Sequence, residues 1–322
     1  MKDPLFILKT TQKVLSRAKS VKINQQAIRK QALIWSRQQV EIPSWPRQLH
    51  FFDGGLKTIQ YIFIVDAINF CFWPRKNKKK WGISYQKKFF SGSYALALAL
   101  RRAIEEGIPI LEASFLKKLT LQQFKKILRG RGKLLLLPER VKILRQVGSV
   151  LESKFQGQFI NLVKKANHDA IKLIKLILAN FPFFRDENFY RREKVYFYKK
   201  VQLLVSEIYG AFQGKGWGKL KNLNQLTIFA DYKIPQILHH FGILEYSPVL
   251  ENKIKNLKEI QAGSQEEIEI RAATIWAGEY LRQELKRQRL KLRPFEIDWI
   301  LWNLSHKIKM KLPHHRTKTT FY

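Results

Sequence analysis

Two aspartates in this sequence interrupt apolar surroundings. Asp231 is the one carboxylate in the segment Leu226–Leu238, LTIFADYKIPQIL, and Asp298 lies one turn before Trp302 in a helix predicted to start at Pro294. Burying a carboxylate as an anion costs free energy unless a partner or a function compensates. The structural alternatives are backbone amides for Asp231 and a helix dipole for Asp298. Since carboxylates with shifted pKa values gather at active sites, both are candidates for catalysis.

A pair of carboxylates in aromatic surroundings suits a reaction with a cationic transition state. Cleavage of a glycosidic bond is the leading example, because one carboxylate stabilises the oxocarbenium-like sugar while an acid assists the leaving group. Aromatic side chains such as Phe229, Tyr232 and Trp302 would form walls against which a flat base stacks. The sequence spacing of Asp231 and Asp298 does not by itself bring them together, so their meeting is an expectation about the fold.

Other catalytic chemistries find little support in the residue pattern. The histidine pairs His239–His240 and His314–His315 are adjacent in sequence, and neighbouring side chains on a helix point in different directions. Together with the lack of an H-E-x-x-H motif, this predicts no metal site. A G-x-S-x-G nucleophile motif is also missing. The glycine run at 214–218, GKGWG, lacks the P-loop arrangement and is more typical of a helix C-terminus.

The charge is strongly basic, with 60 Lys+Arg against 25 Asp+Glu and a net charge of +35. Such a balance indicates either an anionic partner or solvated lysines on helix faces. The even scatter of lysines favours the second interpretation, and no nucleic-acid-binding module is recognisable. The single cysteine, Cys71, excludes an internal disulfide and fits the reducing cytoplasm.

Helical periodicity dominates the chain. The apolar stretch Ile59–Trp73 is shorter than a membrane-spanning helix and is interrupted by Asp66 and Asn69, so it predicts a buried helix. Basic surface helices are expected within 9–40, and a helix at 92–106 should end at Gly107. Further helices are predicted at 113–128, 138–153, 158–165, 168–180 and 197–212, and loops at 74–90 and 181–197. The sequence therefore predicts a mainly α fold, with a basic helical N-terminal extension (1–45) and one compact unit (46–322).

A charged pair lies on the apolar face of one predicted C-terminal helix. Ser264 and Glu267 form a capping-box pattern that starts a helix running to about Arg287. Arg271 and Glu279 both fall on its apolar side. This arrangement predicts a structural Arg–Glu bridge or a binding role for the arginine.

Many segments resemble one family, in the same order along the chain. They are IFIVDAINFCFW (62–73), SYALALALRRAIEEGIPI (93–110), FQGQFINLVKKA (155–166), FRD (184–186), FYKKVQLL (197–204), GKGWG (214–218), LTIFADYKIPQIL (226–238), YSPVLENKI (246–254), GSQEEIEIRAATI (263–275), DWILW (298–302) and the HHRT-x-x-x-x-Y ending (314–322). From about His50 to the C-terminus the chain resembles the queuosine salvage proteins, which are queuosine 5′-phosphate N-glycosidases.

The resemblance implies hydrolysis of a small molecule, queuosine 5′-phosphate, to queuine and ribose 5-phosphate. It implies no metal or nucleotide cofactor, no membrane and no obligate nucleic acid, and a compact helical fold similar to that of helical DNA glycosylases. The 7-deazapurine base lacks the N7 that glycosylases often protonate, so stabilisation of the sugar cation must contribute much of the rate. The open alternative is a tRNA- or DNA-binding, glycosylase-like protein that acts on polymeric nucleic acid.

The resemblance also implies roles for individual residues. Asp231 is assigned to the base or sugar and Asp298 to the developing cation or the attacking water, and the reverse assignment stays open. Several departures from the family pattern concern specificity: Lys233 stands where Arg is frequent, and Asn222 stands where Asp is common. Glu207 and Tyr209 are local variations on the usual pattern.

The remaining expected contacts concern the base and the phosphate. Phe229 and Tyr232 would flank the base, and His50 would hydrogen-bond the base or its cyclopentenediol. Lys199 and Arg271 are expected to bind the 5′-phosphate, on the ground of charge alone.

Overall fold

The protein is described by a computed structural model that covers residues 2–322, and α-helices dominate it, as the sequence predicts. The helices are α1 (Ile7–Leu15), α2 (Gln25–Gln38), α3 (Leu56–Ala67), α4 (Ser93–Glu105), α5 (Ala113–Lys118), α6 (Leu121–Ile127), α7 (Leu137–Phe155), α8 (Ile160–Lys165), α9 (Ala170–Asn180), α10 (Lys199–Ala211), α11 (Lys233–His240), α12 (Pro248–Lys255), α13 (Gln265–Arg287) and α14 (Pro294–Lys307).

Short strands form three antiparallel ribbons of two strands each within the described residues. They are β1 (Val21–Ile23), β2 (Gly82–Tyr85), β3 (Lys88–Ser91), β4 (Glu187–Tyr190), β5 (Glu193–Tyr196) and β6 (Leu244–Tyr246). Strands β2 and β3 form one hairpin and β4 and β5 another, whereas β1 pairs with the distant β6. The ribbons therefore connect helices and do not form a sheet core.

The two predicted C-terminal helices start where their sequence signals indicate. The Ser264 hydroxyl accepts a hydrogen bond from the Glu267 N–H at 3.3 Å, which caps the first turn of α13. Helix α13 ends at Arg287, and α14 begins at Pro294. These helices therefore place Arg271 and Asp298 on the faces that the sequence predicts to be buried.

The predicted buried helix at 59–73 is too long. Helix α3 ends at Ala67, and the chain from Ile68 to Trp73 stays in the interior without helical structure. Distant groups satisfy its backbone there: the Cys71 N–H donates to the Tyr322 carbonyl at 2.8 Å, and the Arg140 guanidinium donates to the carbonyls of Ile68 and Phe70. Such tertiary partners replace the helical hydrogen bonds. No helix of residues 2–322 is long and apolar enough to cross a membrane.

The predicted loops at 74–90 and 181–197 are wrong in part, because each contains a hairpin. The two-residue turns at Gln86–Lys87 and Arg191–Arg192 have positive φ at both positions, 47° and 64° in the first and 48° and 69° in the second. Such turns usually carry Asn or Gly. The sequence therefore lacks the signal by which a hairpin is normally recognised.

Buried apolar side chains form two clusters, and the structure joins them along a seam. The connection before α11 contributes Ile228 to one cluster and Phe229 to the other. Helix α14 likewise contributes Phe295 to one and Ile297 to the other. The segments that carry Asp231 and Asp298 thus run side by side where the two clusters meet.

The N-terminal residues pack onto the rest of the chain. Helices α1 and α2 both contact α13, and β1 pairs with β6 so that Val21 lies opposite Tyr246. Ile28 and Trp35 of α2 are buried in the second cluster. The chain then continues to Trp45, whose side chain reaches the cavity described next.

Candidate active site

A cavity opens at the seam and gathers most of the residues predicted to act on a substrate. It measures about 1320 Å³ when counted out to the open solvent at its mouth. Its walls come from the segment 43–46, the chain after α3, the start of α4, and helices α10, α11 and α14. The predicted site residues that line it are His50, Lys199, Phe229, Asp231, Tyr232, Asp298 and Trp302.

Both aspartates accept hydrogen bonds from backbone N–H groups of the segment around Asp231. The Phe229 N–H donates to Oδ1 of Asp298 at 2.7 Å. Oδ1 of Asp231 accepts the N–H groups of Lys233 and Ile234 at 2.6 and 2.9 Å, which are the first amides of α11. Amides at a helix N-terminus interact favourably with a carboxylate, so these two bonds fix the orientation of the Asp231 side chain. The second oxygen of each carboxyl forms no hydrogen bond within residues 2–322, which leaves both available to a ligand.

The electrostatic settings of the two acids differ. Burial raises the pKa of Asp298 well above its usual range, and the charge of Asp231 raises it further. The Phe229 N–H and Lys199 oppose this shift, but Asp298 is only 4% exposed. The raised pKa favours the protonated form of Asp298, and a carboxyl with a raised pKa beside a second carboxyl is an arrangement found where active sites separate acid from base roles.

A third carboxyl, Glu207 of α10, lines the cavity but was not selected from the sequence. Burial raises the pKa of Glu207 well above its usual range, and the nearby Asp66 carboxyl adds to the effect. A weak hydrogen bond from the Trp45 indole at 3.4 Å and the charge of Lys199 act in the opposite direction. Lys199 also lowers the pKa of Asp66 and of Asp298, so its ammonium lies among the acids.

The spacing along α10 carries the signal that would have identified Glu207. Lys199, Leu203 and Glu207 follow one another at helical intervals of four residues, and all three line the cavity. A polar residue that repeats on the apolar face of a buried helix indicates a site on that face. Asn69 also lines the cavity, and its side-chain amide donates to Asp66 at 3.1 Å.

His50 supplies a buried nitrogen without a partner. Its ring lies 4.4 Å from that of Trp45 and 5.9 Å from that of Tyr61, measured between centroids. Burial lowers the pKa of His50 to about 3, and the charge of Arg101 contributes, so the ring is neutral. Nδ1 is buried and forms no hydrogen bond to any described residue. Because an unsatisfied buried polar atom is costly, its position at the cavity wall indicates a ligand contact.

Aromatic rings form much of the remaining wall. The Trp302 ring packs edge-on against Tyr94 at 5.3 Å and lies 4.1 Å from the ring of His306. Tyr232 lies 4.5 Å from His314 on the opposite side of the Asp231 turn. Such rings provide the flat apolar surfaces on which a base can stack.

Arg271 does not line the cavity, which corrects the expectation that it binds phosphate. Its side chain is only 1% exposed. Its guanidinium donates to both carboxylate oxygens of Asp186, one at 2.9 Å, and its Nε donates to the Ala230 carbonyl at 3.1 Å. Arg271 therefore stabilises the turn that carries Asp231, and its N–H groups already bind Asp186 and the Ala230 carbonyl.

The alternative prediction was a structural ion pair between Arg271 and Glu279. Arg271 does form a structural ion pair, but not with Glu279. Arg271 lies 3.5 Å from Glu267 in addition to its contact with Asp186. Glu279 pairs instead with Arg282 at 2.7 Å, on the same helix. The Arg271 guanidinium forms its bidentate pair with the carboxylate of Asp186, which lies far away in the sequence.

Comparisons with known proteins identify the relatives of this chain. A family model described as "Queuosine salvage protein" matches residues 49–322. A Sphaerobacter thermophilus protein named queuosine 5′-phosphate N-glycosylase/hydrolase is 43% identical over 321 residues, covering 99% of this chain and 98% of the relative. Proteins of the same name from Nematostella vectensis and Mus musculus are 36% and 32% identical, covering 85% and 100% of this chain and the same shares of their own lengths.

Proposed function

The chain belongs to the queuosine salvage protein family, and from that premise we propose that it hydrolyses queuosine 5′-phosphate to queuine and ribose 5-phosphate. The relatives carry this activity in their names. The observation that supports it here is the pairing of Asp231 and Asp298 in one cavity, where the Phe229 N–H links the two segments and burial beside Asp231 raises the pKa of Asp298.

In this proposal Asp231 stabilises the sugar cation. Its charge is fixed by two amides of α11, and its free oxygen is available to the cavity. A preorganised anion loses little free energy to reorganisation when positive charge develops on C1′, and such electrostatic preorganisation is usually a large catalytic contribution. The electrostatic setting thus favours the second of the two assignments that the sequence left open.

Asp298 then acts as the acid. The bond between C1′ and the base nitrogen breaks, and its electron pair stays with the base, which takes a proton from the Asp298 carboxyl. Water adds its oxygen to C1′ and releases a proton that Asp231 accepts and the acid pair shares. A 7-deazapurine is a poor leaving group. Protonation by Asp298, whose pKa is raised by burial, would make its departure easier.

The base would be held by the aromatic walls and by His50. Phe229, Tyr232 and Trp302 offer surfaces for stacking. The unpartnered Nδ1 of His50 would hydrogen-bond the base or its cyclopentenediol. We place the catalytic unit at residues 46–322, with residues 1–45 as an extension that ends in Trp45 at the cavity wall, and we retain the likeness of fold to helical DNA glycosylases as part of this proposal.

Action on polymeric nucleic acid is the second candidate, and the net charge of +35 favours it. The test compares free queuosine 5′-phosphate with queuosine-containing tRNA, each incubated with the purified protein at low and moderate salt. We expect queuine and ribose 5-phosphate in equal amounts from the nucleotide and none from the tRNA. Release from tRNA alone, with a rate that falls steeply with salt, would favour the alternative.

A further inference from the structure

Two lysines of the cavity, Lys80 and Lys233, lie near one another, and Asp231 raises the pKa of Lys233 against the effect of its burial. Lys199 acts on the pKa of three carboxyls, whereas Lys80 and Lys233 both line the cavity without an ion pair to any described carboxylate. Burial lowers the pKa of Lys80, and the positive charge of Lys233 lowers it further, which shows that the two ammonium groups feel one another. Like charges held together in a cavity call for an anion between them.

The surroundings of these lysines leave their donors free. The Lys80 ammonium lies against Gly92, 3.4 Å from where a Cβ on that residue would be. The Lys233 ammonium donates to the Gln236 side chain at 3.1 Å, which uses one of its three protons. The positive charges of both lysines also lower the pKa of His306, after burial, so this third basic group faces the same region.

We propose that Lys80 and Lys233 form the subsite for the 5′-phosphate of the substrate, a phosphate monoester dianion. The inference rests on the proposed function for the identity of the ligand, and on the charge arrangement for its position. Ammonium groups bind phosphate as point charges, and two of them match the charge of a monoester. Ser91 and Ser93 line the cavity beside Gly92 and provide hydroxyl donors next to Lys80.

This assignment replaces the arginine expected from the sequence and reassigns the lysine. Arg271 is covered by Asp186 and does not reach the cavity. Lys199 acts instead on the buried carboxyls, because its charge lowers the pKa of Asp66, Glu207 and Asp298. Of the lysines that line the cavity, Lys80 and Lys233 are the two whose charges lower the pKa of the same neighbour, His306.

The test uses Lys80→Gln, Lys233→Gln and the double variant, with Lys79→Gln as a matched control. Lys79 directly precedes Lys80 in the chain and is exposed, as Lys80 is, but it does not line the cavity. The kinetic readout is kcat/KM for queuosine 5′-phosphate and for the nucleoside without phosphate. A second readout that needs no turnover is the affinity for ribose 5-phosphate, measured by calorimetry.

We expect each cavity lysine substitution to lower kcat/KM for the nucleotide by roughly 10- to 100-fold, the scale of a charge-assisted hydrogen bond. The loss should arise mainly through KM. Turnover of the nucleoside and all values for Lys79→Gln should stay near wild type. Affinity for ribose 5-phosphate should fall by a similar factor.

Three results would distinguish failure of the subsite from failure of the proposed function. If wild type cleaves the nucleotide but the double variant binds ribose 5-phosphate as tightly, the subsite lies elsewhere and the proposed function stands. Equal losses on nucleotide and nucleoside would also overturn the subsite, since they would show a general effect on the cavity. If wild type cleaves neither substrate, the proposed function fails, and ribose 5-phosphate binding alone decides whether the lysines form an anion site.

Discussion

Asp231 and Asp298 are neighbours in space with opposite electrostatic settings. Two helix amides bind the carboxyl of Asp231, whereas burial and the charge of Asp231 raise the pKa of Asp298. A single backbone N–H, from Phe229, links the turn of one to the carboxyl of the other. The roles that we propose for the two acids therefore depend on backbone geometry, which the residue types alone do not contain.

Asp298→Asn should separate activity from stability. Because the pKa of Asp298 is raised in the folded state, the folded protein holds a proton that the unfolded chain has lost, and stability falls as pH rises from the unfolded to the folded pKa. Asparagine lacks this penalty, so the variant should gain free energy of unfolding over wild type as pH rises from mild acid to neutral, while turnover collapses. Urea denaturation across this pH range measures the difference.

The pH dependence of turnover gives an independent check on the same residue. If Asp298 donates a proton, the wild-type rate should fall as pH rises through its raised pKa. An Asp298→Asn variant that keeps wild-type turnover, or that loses stability by the same amount at every pH, would contradict the acid role.

His50→Phe should weaken substrate binding without weakening the fold. Phenylalanine keeps a ring between Trp45 and Tyr61 and removes the unpartnered Nδ1. Loss of one hydrogen bond to the base should raise KM about 10-fold. Thermal unfolding should occur at the same or a higher temperature, because no intramolecular hydrogen bond of Nδ1 is lost.

His239→Phe is the matched control for that substitution. His239 also stacks on a ring, that of Tyr246 at 4.6 Å, but its Nδ1 hydrogen-bonds the Leu244 carbonyl at 2.9 Å and it lies outside the cavity. This variant should lose stability and keep its KM. If His50→Phe and His239→Phe change KM and stability in the same way, the unpartnered Nδ1 of His50 has no role in substrate binding.

At the scale of elements, α13 positions a turn that it does not itself belong to. Arg271 projects from α13 to the Ala230 carbonyl, next to Asp231, and is fixed there by Asp186. Asp298 holds the same turn from α14 through the Phe229 N–H. Two helices thus hold the three-residue segment that ends in Asp231, so secondary structure fixes the position of the residue that we propose to be catalytic.

Arg271→Ala should destabilise the protein strongly because it leaves Asp186 and Glu267 buried without a cation. Breaking a buried pair in this way typically costs about 3–5 kcal/mol of unfolding free energy. Arg287→Ala, on the same helix, removes an exposed partner of Glu284 and should cost below about 1 kcal/mol. Guanidinium denaturation compares the two, and similar small losses would show that Arg271 does not clamp the turn.

The elements were predictable where local signals are strong. Ser264, Pro294 and Gly107 fix helix ends through capping and proline chemistry, and α13, α14 and α4 end or begin there. The buried segment after Ala67 was mistaken for helix, because distant partners satisfy its backbone. Helical periodicity cannot report such partners. The two hairpins were not predicted for a related reason. Gln86 and Arg191 adopt positive φ, but neither is Asn or Gly, the residues that usually indicate such a turn.

The site was predictable in composition but not in arrangement. An isolated acid in an apolar run, as at Asp231, is visible in the sequence, and so is the aromatic environment of Asp298. Which cation meets which anion depends on tertiary contacts: Arg271 finds Asp186 beneath the turn, and Lys80 reaches the cavity from the basic loop. Glu207 was overlooked because its role depends on the face of α10 that the cavity exposes.

At the scale of the whole molecule, the cavity lies where two apolar clusters meet. Its walls combine Trp45 from the N-terminal part, α10 from the middle of the chain and α14 from its end. The C-terminal Tyr322 also lines it, and its carbonyl accepts the Cys71 N–H at 2.8 Å. The site therefore exists only when both clusters are folded, so loss of the fold and loss of activity should coincide during unfolding.

The central claim is that an anion–acid pair in this cavity cleaves the glycosidic bond of a free nucleotide. The most direct measurement is release of queuine from queuosine 5′-phosphate, followed by chromatography, for wild type and for Asp231→Asn. We expect steady release by wild type and a loss of about 10²–10³-fold or more in kcat for the variant, the scale of a lost electrostatic stabiliser. The variant should stay folded by circular dichroism. Unchanged release by a folded Asp231→Asn protein, or none by folded wild type, would contradict the account.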